Sequence, residues 1–419
     1  TILDMKKFTL DGWAVGLNNK NSDVLFNSGM VKFKDQKLLF NNLNATLWNA
    51  NVITNGNVDK IFDDIFIPDL KFNLVSFPFS KITDLTSVID EDKIKKILND
   101  YTDFSGSISG DFFYNKNGFS GNTNLNKVSL YDKKRDVPVN LNSGDLRFSN
   151  NQLRLNALNM TYGATPVYLD AVIDDINCAL PRFNVYVSTN LNEESLDKLL
   201  NPMLQFPLKT KGELTLKGRL RGQFDNYTAF GTVILNPQTD LYFMGANLGD
   251  TQSKREINTR IDFRNDEIRI GHIKYQKYIL SQNNKETPYE MLNVSGLIKT
   301  IGKDIIFNNL RVKTPNPAPA RLLNPVFKKS VLKQGTLSAD ILFNGPILKP
   351  NVNGSARLSN VDVPLYETQV RDVDLTLDDK FINAVLEGEG MGSDVKFKAQ
   401  IINSAALPVV VNKAEITSK

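Results

Sequence analysis

Long stretches of this chain alternate apolar and polar residues one by one, a period of two that suits strands and does not suit helices. Leu214, Leu216 and Leu220 are interleaved with Thr215, Lys217, Arg219 and Arg221. Leu337, Ala339, Ile341 and Phe343 follow the same rule, as do Val373, Leu375 and Leu377. Near the end, Val395, Phe397, Ala399 and Ile401 alternate with Lys396, Lys398 and Gln400. A strand written this way has one face that water disfavours. The fold must therefore be mainly β and must dispose of a large apolar sheet surface. Asn117-Gly118 has the chemistry of a tight hairpin, because both residues accept positive φ cheaply. Asn236-Pro237 and Asn344-Gly345-Pro346 mark further turns.

The alternation recurs within a longer unit. Leu199-Leu200-Asn201-Pro202 returns as Leu322-Leu323-Asn324-Pro325, and in the same frame Gly212, Gly222 and Gly231 meet Gly335, Gly345 and Gly354. In a second frame Asn27-Ser28-Gly29 pairs with Asn142-Ser143-Gly144, and Phe33, Leu38 and Leu43 pair with Phe148, Leu153 and Leu158. One more step puts Phe263, Ile268 and Ile270 opposite Phe148, Leu153 and Leu155. The spacing predicts one continuous array of units of about 100–125 residues. They fall at 1–90 (partial), 91–190, 191–314 and 315–419. Each unit should hold several strands and one short helix. The helical faces are Ile94, Ile97, Leu98 and Tyr101, then Leu196, Leu199, Leu200 and Met203, then Leu322, Leu323, Val326 and Phe327. Pro202 and Pro325 should end the last two. These helices are expected to plug or brace the sheet, and Pro315 to Pro319 to form a stiff linker.

Composition narrows the function. Of 419 residues, 41% are hydrophobic, enough to build a core rather than a disordered tail. The net charge of +4 is spread without basic blocks, which argues against a nucleic-acid binder. A single cysteine, Cys178, rules out an internal disulfide framework, and a single histidine, His272, argues against a Ser-His-Asp triad. Cys178 is expected to be a small buried hydrophobe, His272 to face solvent, and Asp174-Asp175 and Asp378-Asp379 to be turn residues. No Gly-rich phosphate loop and no convergent pair of carboxylates stands out, so no cofactor and no catalysis are expected. No apolar run reaches the roughly 18 residues of a membrane span. The densest, Ala405 to Val411, contains Pro408. The chain starts at Thr1 in a polar, strand-like pattern and reads as a segment of something longer, with any membrane anchor or export signal outside it.

Three arrangements could hide the apolar faces. A closed sandwich packs two sheets about 10 Å apart. A solenoid uses coils of about 20–30 residues, far shorter than this repeat. A long curved sheet leaves the faces lining an open trough, which in water calls for an apolar guest. Such a trough would be lined by Leu146, Phe148, Leu153 and Leu155; by Leu214, Leu216, Leu220, Phe263, Ile268 and Ile270; by Leu337, Ala339, Ile341 and Phe343; and by Val373, Leu375, Leu377, Val395, Phe397 and Ile401. About 20 strands spaced at roughly 4.8 Å would run on the order of 90–100 Å.

Gly335-Thr336-Leu337 through Gly345-Pro346-Ile347-Leu348-Lys349-Pro350-Asn351-Val352-Asn353-Gly354, followed by Leu358, Val361 and Pro364, resembles the AsmA/TamB superfamily of bacterial envelope proteins. Gly212 to Leu235 is similar, with Asp225-Asn226-Tyr227 in place of the proline turn. The resemblance implies an elongated, curved antiparallel sheet, a β-taco or repeating β-groove. It also implies a periplasmic, non-enzymatic bridge that carries phospholipid acyl chains from the inner towards the outer membrane. Its partners would then be phospholipid, the inner membrane through an anchor outside these residues, and an outer-membrane protein, with no nucleic acid. The rival expectation is a β-rich periplasmic scaffold or chaperone that offers strand edges to outer-membrane proteins.

Overall fold

Many successive strands turn back on one another through short connections, and their register carries the alternation from strand to strand. The structure is a computed structural model. It describes residues 8–9, 13–16, 23–34, 36–61, 67–83, 99–176, 178–203, 208–243, 246–247, 252–280, 285–301, 304–324, 331–363, 368–378, 380–390, 393–402 and 411–418. Among the described residues strand accounts for 78% and helix for 6%, so the described helices cannot cover much sheet.

The first unit, Thr1–Val187, contains β1 (Phe8–Thr9), β2 (Trp13–Gly16), β3 (Asp23–Lys34), β4 (Lys37–Leu47), β5 (Ala50–Asp59), β6 (Ile67–Pro78), β7 (Tyr101–Asn115), β8 (Gly118–Asp132), β9 (Val137–Ser149), β10 (Gln152–Tyr162) and β11 (Thr165–Asp174). Both β1 and β2 pair with β3, and from there to β11 each strand pairs antiparallel with the next. The predicted hairpin is present. Asn115 faces Gly118 across a two-residue loop, and Gly118 takes φ +95°.

The chain continues through β12 (Arg182–Leu191) into the second unit, Ser188–Lys419. This unit contains β13 (Leu208–Lys211), β14 (Leu214–Gln223), β15 (Asn226–Leu235), β16 (Asp240–Phe243), β17 (Ala246–Asn247), β18 (Arg255–Arg264), β19 (Glu267–Leu280), β20 (Glu286–Ile301), β21 (Asp304–Lys313), β22 (Ala318–Pro319), β23 (Thr336–Pro346), β24 (Asn351–Val363), β25 (Thr368–Leu377), β26 (Phe381–Gly390), β27 (Ser393–Ile402) and β28 (Val411–Ser418). The main meander runs β14–β15–β18–β19–β20–β21–β23 and on in chain order to β28, all antiparallel. A small second sheet joins β13, β16 and β17. Among the described residues no pairing returns the last strand of either unit to its first, so neither sheet is closed.

Several sequence expectations need correcting. The turn expected at Asn344-Gly345-Pro346 is still strand, because Asn344 faces Asn351 and Gly345 faces Phe307; the turn follows at residues 347–349. Cys178 is exposed rather than buried. It sits in the turn after β11, where its N–H donates to the Asp175 carbonyl at 2.8 Å.

Helical segments are short. Glu193–Ser195 is an α-turn that continues as a π-type turn, Leu196–Leu200, and a 3-10 turn, Asn201–Met203. Its start is capped by the Asn192 side chain, which accepts from the Ser195 N–H at 2.9 Å. Ala320–Leu323 is a 3-10 turn. Ile94, Ile97, Leu98, Val326 and Phe327 lie outside the described residues, and Tyr101 opens β7 instead of ending a helix.

In the second unit the buried core sits where these connectors meet the sheet. Leu196 packs with Leu191, Leu214, Leu235 and Leu241, and Ala320 packs with Leu332, Val361 and Val370. Arg255, fully buried beside the first cluster, donates through Nη2 to the carbonyls of Asn236 and Thr239 at 3.3 and 2.6 Å and so fixes the turn between β15 and β16.

A recurrent irregularity interrupts the ladders. Asn42, Ser76, Asp103, Lys127, Ala157 and Asn309 all take positive φ, each within or beside a register shift. These are β-bulges, which bend a strand and sharpen its twist. A bulged amide loses its ladder partner, and here side chains of neighbouring strands replace it. The Asn42 N–H donates to Asn55 Oδ1 at 2.8 Å, Ser76 to Ser109 Oγ at 2.9 Å, Ala157 to Asp170 Oδ1 at 2.7 Å and Asn309 to Asn344 Oδ1 at 2.7 Å. Gly29, Gly144 and Gly296, each thirteen residues ahead of Asn42, Ala157 and Asn309, also take positive φ. They lie so close to the next strand that a Cβ would come within 2.4, 2.8 and 2.5 Å of the Cα of Leu43, Leu158 and Leu310.

Candidate functional site

Residues directly opposite in an antiparallel pair share a face of the sheet. In the first unit one such row runs Thr54, Phe72, Phe112, Gly121, Phe148, Leu153 and Ile173 across seven strands. Its neighbour runs Val52, Leu74, Gly110, Thr123, Leu146, Leu155 and Ala171. All four residues expected to line the face here, Leu146, Phe148, Leu153 and Leu155, fall in these two rows.

The second unit does the same. Leu214 faces Leu235, Leu216 faces Val233 and Leu220 faces Ala229. Phe263 faces Tyr227 and Ile268, while Ile270 faces Ile261 and Gly296. Farther along, Ile341 meets Val312 and Gly354, Phe343 meets Leu310 and Val352, Leu337 meets Leu358, and Ala339 meets Ala356. Val373, Leu375 and Leu377 lie opposite Leu358, Ala356 and Gly354, and through β26 the rows reach Phe397, Ala399 and Ile401, with Val395 opposite Gly388. The sixteen expected residues of this unit share one face.

Burial decides what kind of face it is. Of the twenty expected residues, Leu214, Leu337 and Ile270 are buried, Leu220 and Ile268 are 42% and 37% exposed, and the other fifteen are half-buried. A sandwich core would bury nearly all of them. In the second unit the described connectors pack against the margin of the face that holds Leu214, Leu235, Val361 and Val370. Towards the hairpins that follow β14, β18 and β23, Tyr227, Phe263, Phe307 and Phe343 are half-buried and Ile268 is exposed. Strands β13 and β17, four and two residues long, are too short to cover the rest.

In the first unit the face dips into a hollow of about 430 Å³ lined by Leu47, Val52, Phe72, Leu74, Phe77, Ile82, Ile108, Phe112, Phe119 and Thr123. Phe112, Phe119 and Phe148 form an aromatic cluster above it, with centroids 5.9, 5.9 and 5.3 Å apart. Phe112 lies directly over Gly121, where a Cβ would come within 2.8 Å of the ring. Sequence reading missed most of these residues, and missed Ile298, Phe307 and Leu310 in the second unit. Bulges shift the alternation there, so a strict period of two loses count. The one readable signal was the recurring Asn-Ser-Gly.

The opposite face is ionic. Arg311 holds Asp340 through two bonds of 2.6 and 2.5 Å, Arg357 pairs with Asp372, and Arg371 with Asp394. Lys396 pairs with Glu387. The Arg311 fork holds the Asp340 carboxyl below the usual carboxylate value, and Ser359 and Arg357 do the same for Asp372. Lys217, Arg219 and Arg221 are exposed on this side as expected. His272 is half-buried opposite Arg260; burial, Lys274 and Arg260 keep its imidazole below its ordinary pKa. Asp378 accepts the Lys380 and Phe381 N–H groups, and Asp175 pairs with Arg182, which are turn roles.

Among the described residues no group of three or more His, Cys, Asp or Glu is placed to hold a metal ion, and no helix is long and apolar enough to cross a membrane. Comparison with known proteins gives no match to a protein family, to a curated protein or to a solved structure.

Proposed function

We propose that this chain is a segment of a bridge-like lipid carrier whose apolar sheet face holds phospholipid acyl chains, as the resemblance to the AsmA/TamB superfamily implies. The observation that carries the reading is an apolar face continuous in register within each unit yet only half-buried. Water opposes so much bare apolar surface unless a guest covers it, and each methylene kept dry contributes about 0.8 kcal/mol. The acyl chain suits such a face because it needs no hydrogen-bond partner. The location in the periplasm, the anchor in the inner membrane and the outer-membrane partner belong to this proposal and rest on the resemblance. So does the β-taco architecture of units near 100–125 residues.

The role is passive, without a catalytic step. Carboxylates of the polar face are held low by Arg and Lys partners, the reverse of what a general acid requires. The alternative, a β scaffold or chaperone, draws on β28, an outermost strand of the second unit whose residues are all exposed.

Leu220→Asp and Phe343→Asp test the reading. Leu220 reaches solvent, so its replacement should change stability by less than about 1 kcal/mol while reducing phospholipid transfer between vesicles at least about tenfold. Unfolding of both variants would mark these positions as ordinary core. Unchanged transfer by folded variants would remove the face from the mechanism.

A further inference from the structure

We propose that the hollow beneath Phe72, Phe112 and Phe119 is a resting site for a single acyl chain. This rests on the reading that the apolar face binds lipid tails, and it specifies where one tail stops and how much of it is held. The wall has one hydroxyl, that of Thr123, which already donates to the Leu146 carbonyl at 3.3 Å. A peptide occupant would bring N–H and C=O groups that need partners, and the wall offers none. A charged occupant would be desolvated without a counter-charge. A hydrocarbon chain brings neither problem.

Size selects the number of chains. An apolar cavity of about 150 Å³ takes up one benzene, about 25 Å³ per carbon, so a hollow of this volume holds on the order of 17 carbons. That is one long acyl chain and not two. Gly110, in the row between Leu74 and Thr123, brings no side chain to narrow the hollow. Phe119, 45% exposed and stacked on Phe112, forms the wall nearest solvent. The second tail of a phospholipid would then lie along the face beyond the hollow.

Straight-chain fatty acids of graded length, titrated into the full chain, test this. Affinity should tighten severalfold with each added methylene until about 16–17 carbons and stay flat beyond. Val52→Trp, which fills the hollow from β5, should weaken binding of the sixteen-carbon acid at least about tenfold. Phe119→Ala, at a half-exposed ring that tolerates truncation, should move the plateau to longer chains. A steady rise without a plateau, or a plateau that neither variant moves, overturns the proposal. Photo-cross-linking with a phosphatidylethanolamine carrying a diazirine near the end of one chain separates the two claims. Labels on β6, β7 and β8 support the resting site. Labels confined to the second unit overturn it but leave the lipid-binding face intact, and no labels anywhere overturn both.

Discussion

Asp132 is a buried carboxylate of the first unit held on several sides. It is 1% exposed and accepts from the Tyr162 hydroxyl at 2.5 Å, from Arg135 Nη1 at 3.2 Å and from the N–H groups of Lys134 and Arg135. Burial pushes its pKa up, but the bonds from Tyr162, Arg135 and Lys134 outweigh burial and hold the carboxyl below its ordinary value. Burial first, then Asp132, push the Tyr162 phenol up to about 12. The signs follow from linkage. A depressed acid stabilises the fold above its unfolded pKa, and that contribution is lost as the pH falls through the folded value. A raised phenol stabilises below its ordinary value near 10, and its contribution is lost as the pH rises from there through about 12. Urea unfolding across pH should therefore show both losses. Asp132→Asn should remove the acid one, and Tyr162→Phe should remove the alkaline one and lower stability near neutrality by about 1–2 kcal/mol.

At the scale of elements, the bulges and their side-chain caps shape the sheet. Asp170 accepts from the Ala157 N–H and also from the Tyr168 hydroxyl, so one carboxylate supports both the bulge and its neighbour. Asp170→Ala and Asn55→Ala should each cost about 1 kcal/mol in thermal or urea unfolding. Asp170→Asn should recover most of that loss, because an amide oxygen accepts as Asn55 and Asn344 do. If Asp170→Asn is no better than Asp170→Ala, the cap is not what holds the bulge. The strands themselves were legible in the sequence wherever alternation ran unbroken, as from Leu214 to Leu220 or Val395 to Ile401. It was lost at bulges. Past Ala157 the apolar face continues with Leu158 and Met160, out of phase with Leu153 and Leu155. The ion pairs were not legible either, because Arg311 meets Asp340 only through strand register.

For the molecule as a whole, the two faces of each sheet meet opposite demands. The ionic face is solvated, and exposed pairs of this kind add little stability. Alternation made an apolar face foreseeable within each unit, and the expected residues lie in its rows; that the rows hold lipid stays with the proposal. The hollow in the first unit was not foreseeable, because Phe72, Phe112 and Phe119 come together only when β6, β7 and β8 pair. Where a guest sits on this face, side chains now half-buried become fully buried, so ligand should stabilise the fold by mass action. Native mass spectrometry of the full chain, purified without detergent, tests the central claim most directly. The account predicts protein that retains phospholipid, released intact by organic extraction. Protein that carries no lipid, and gains none after incubation with phospholipid vesicles, would contradict it.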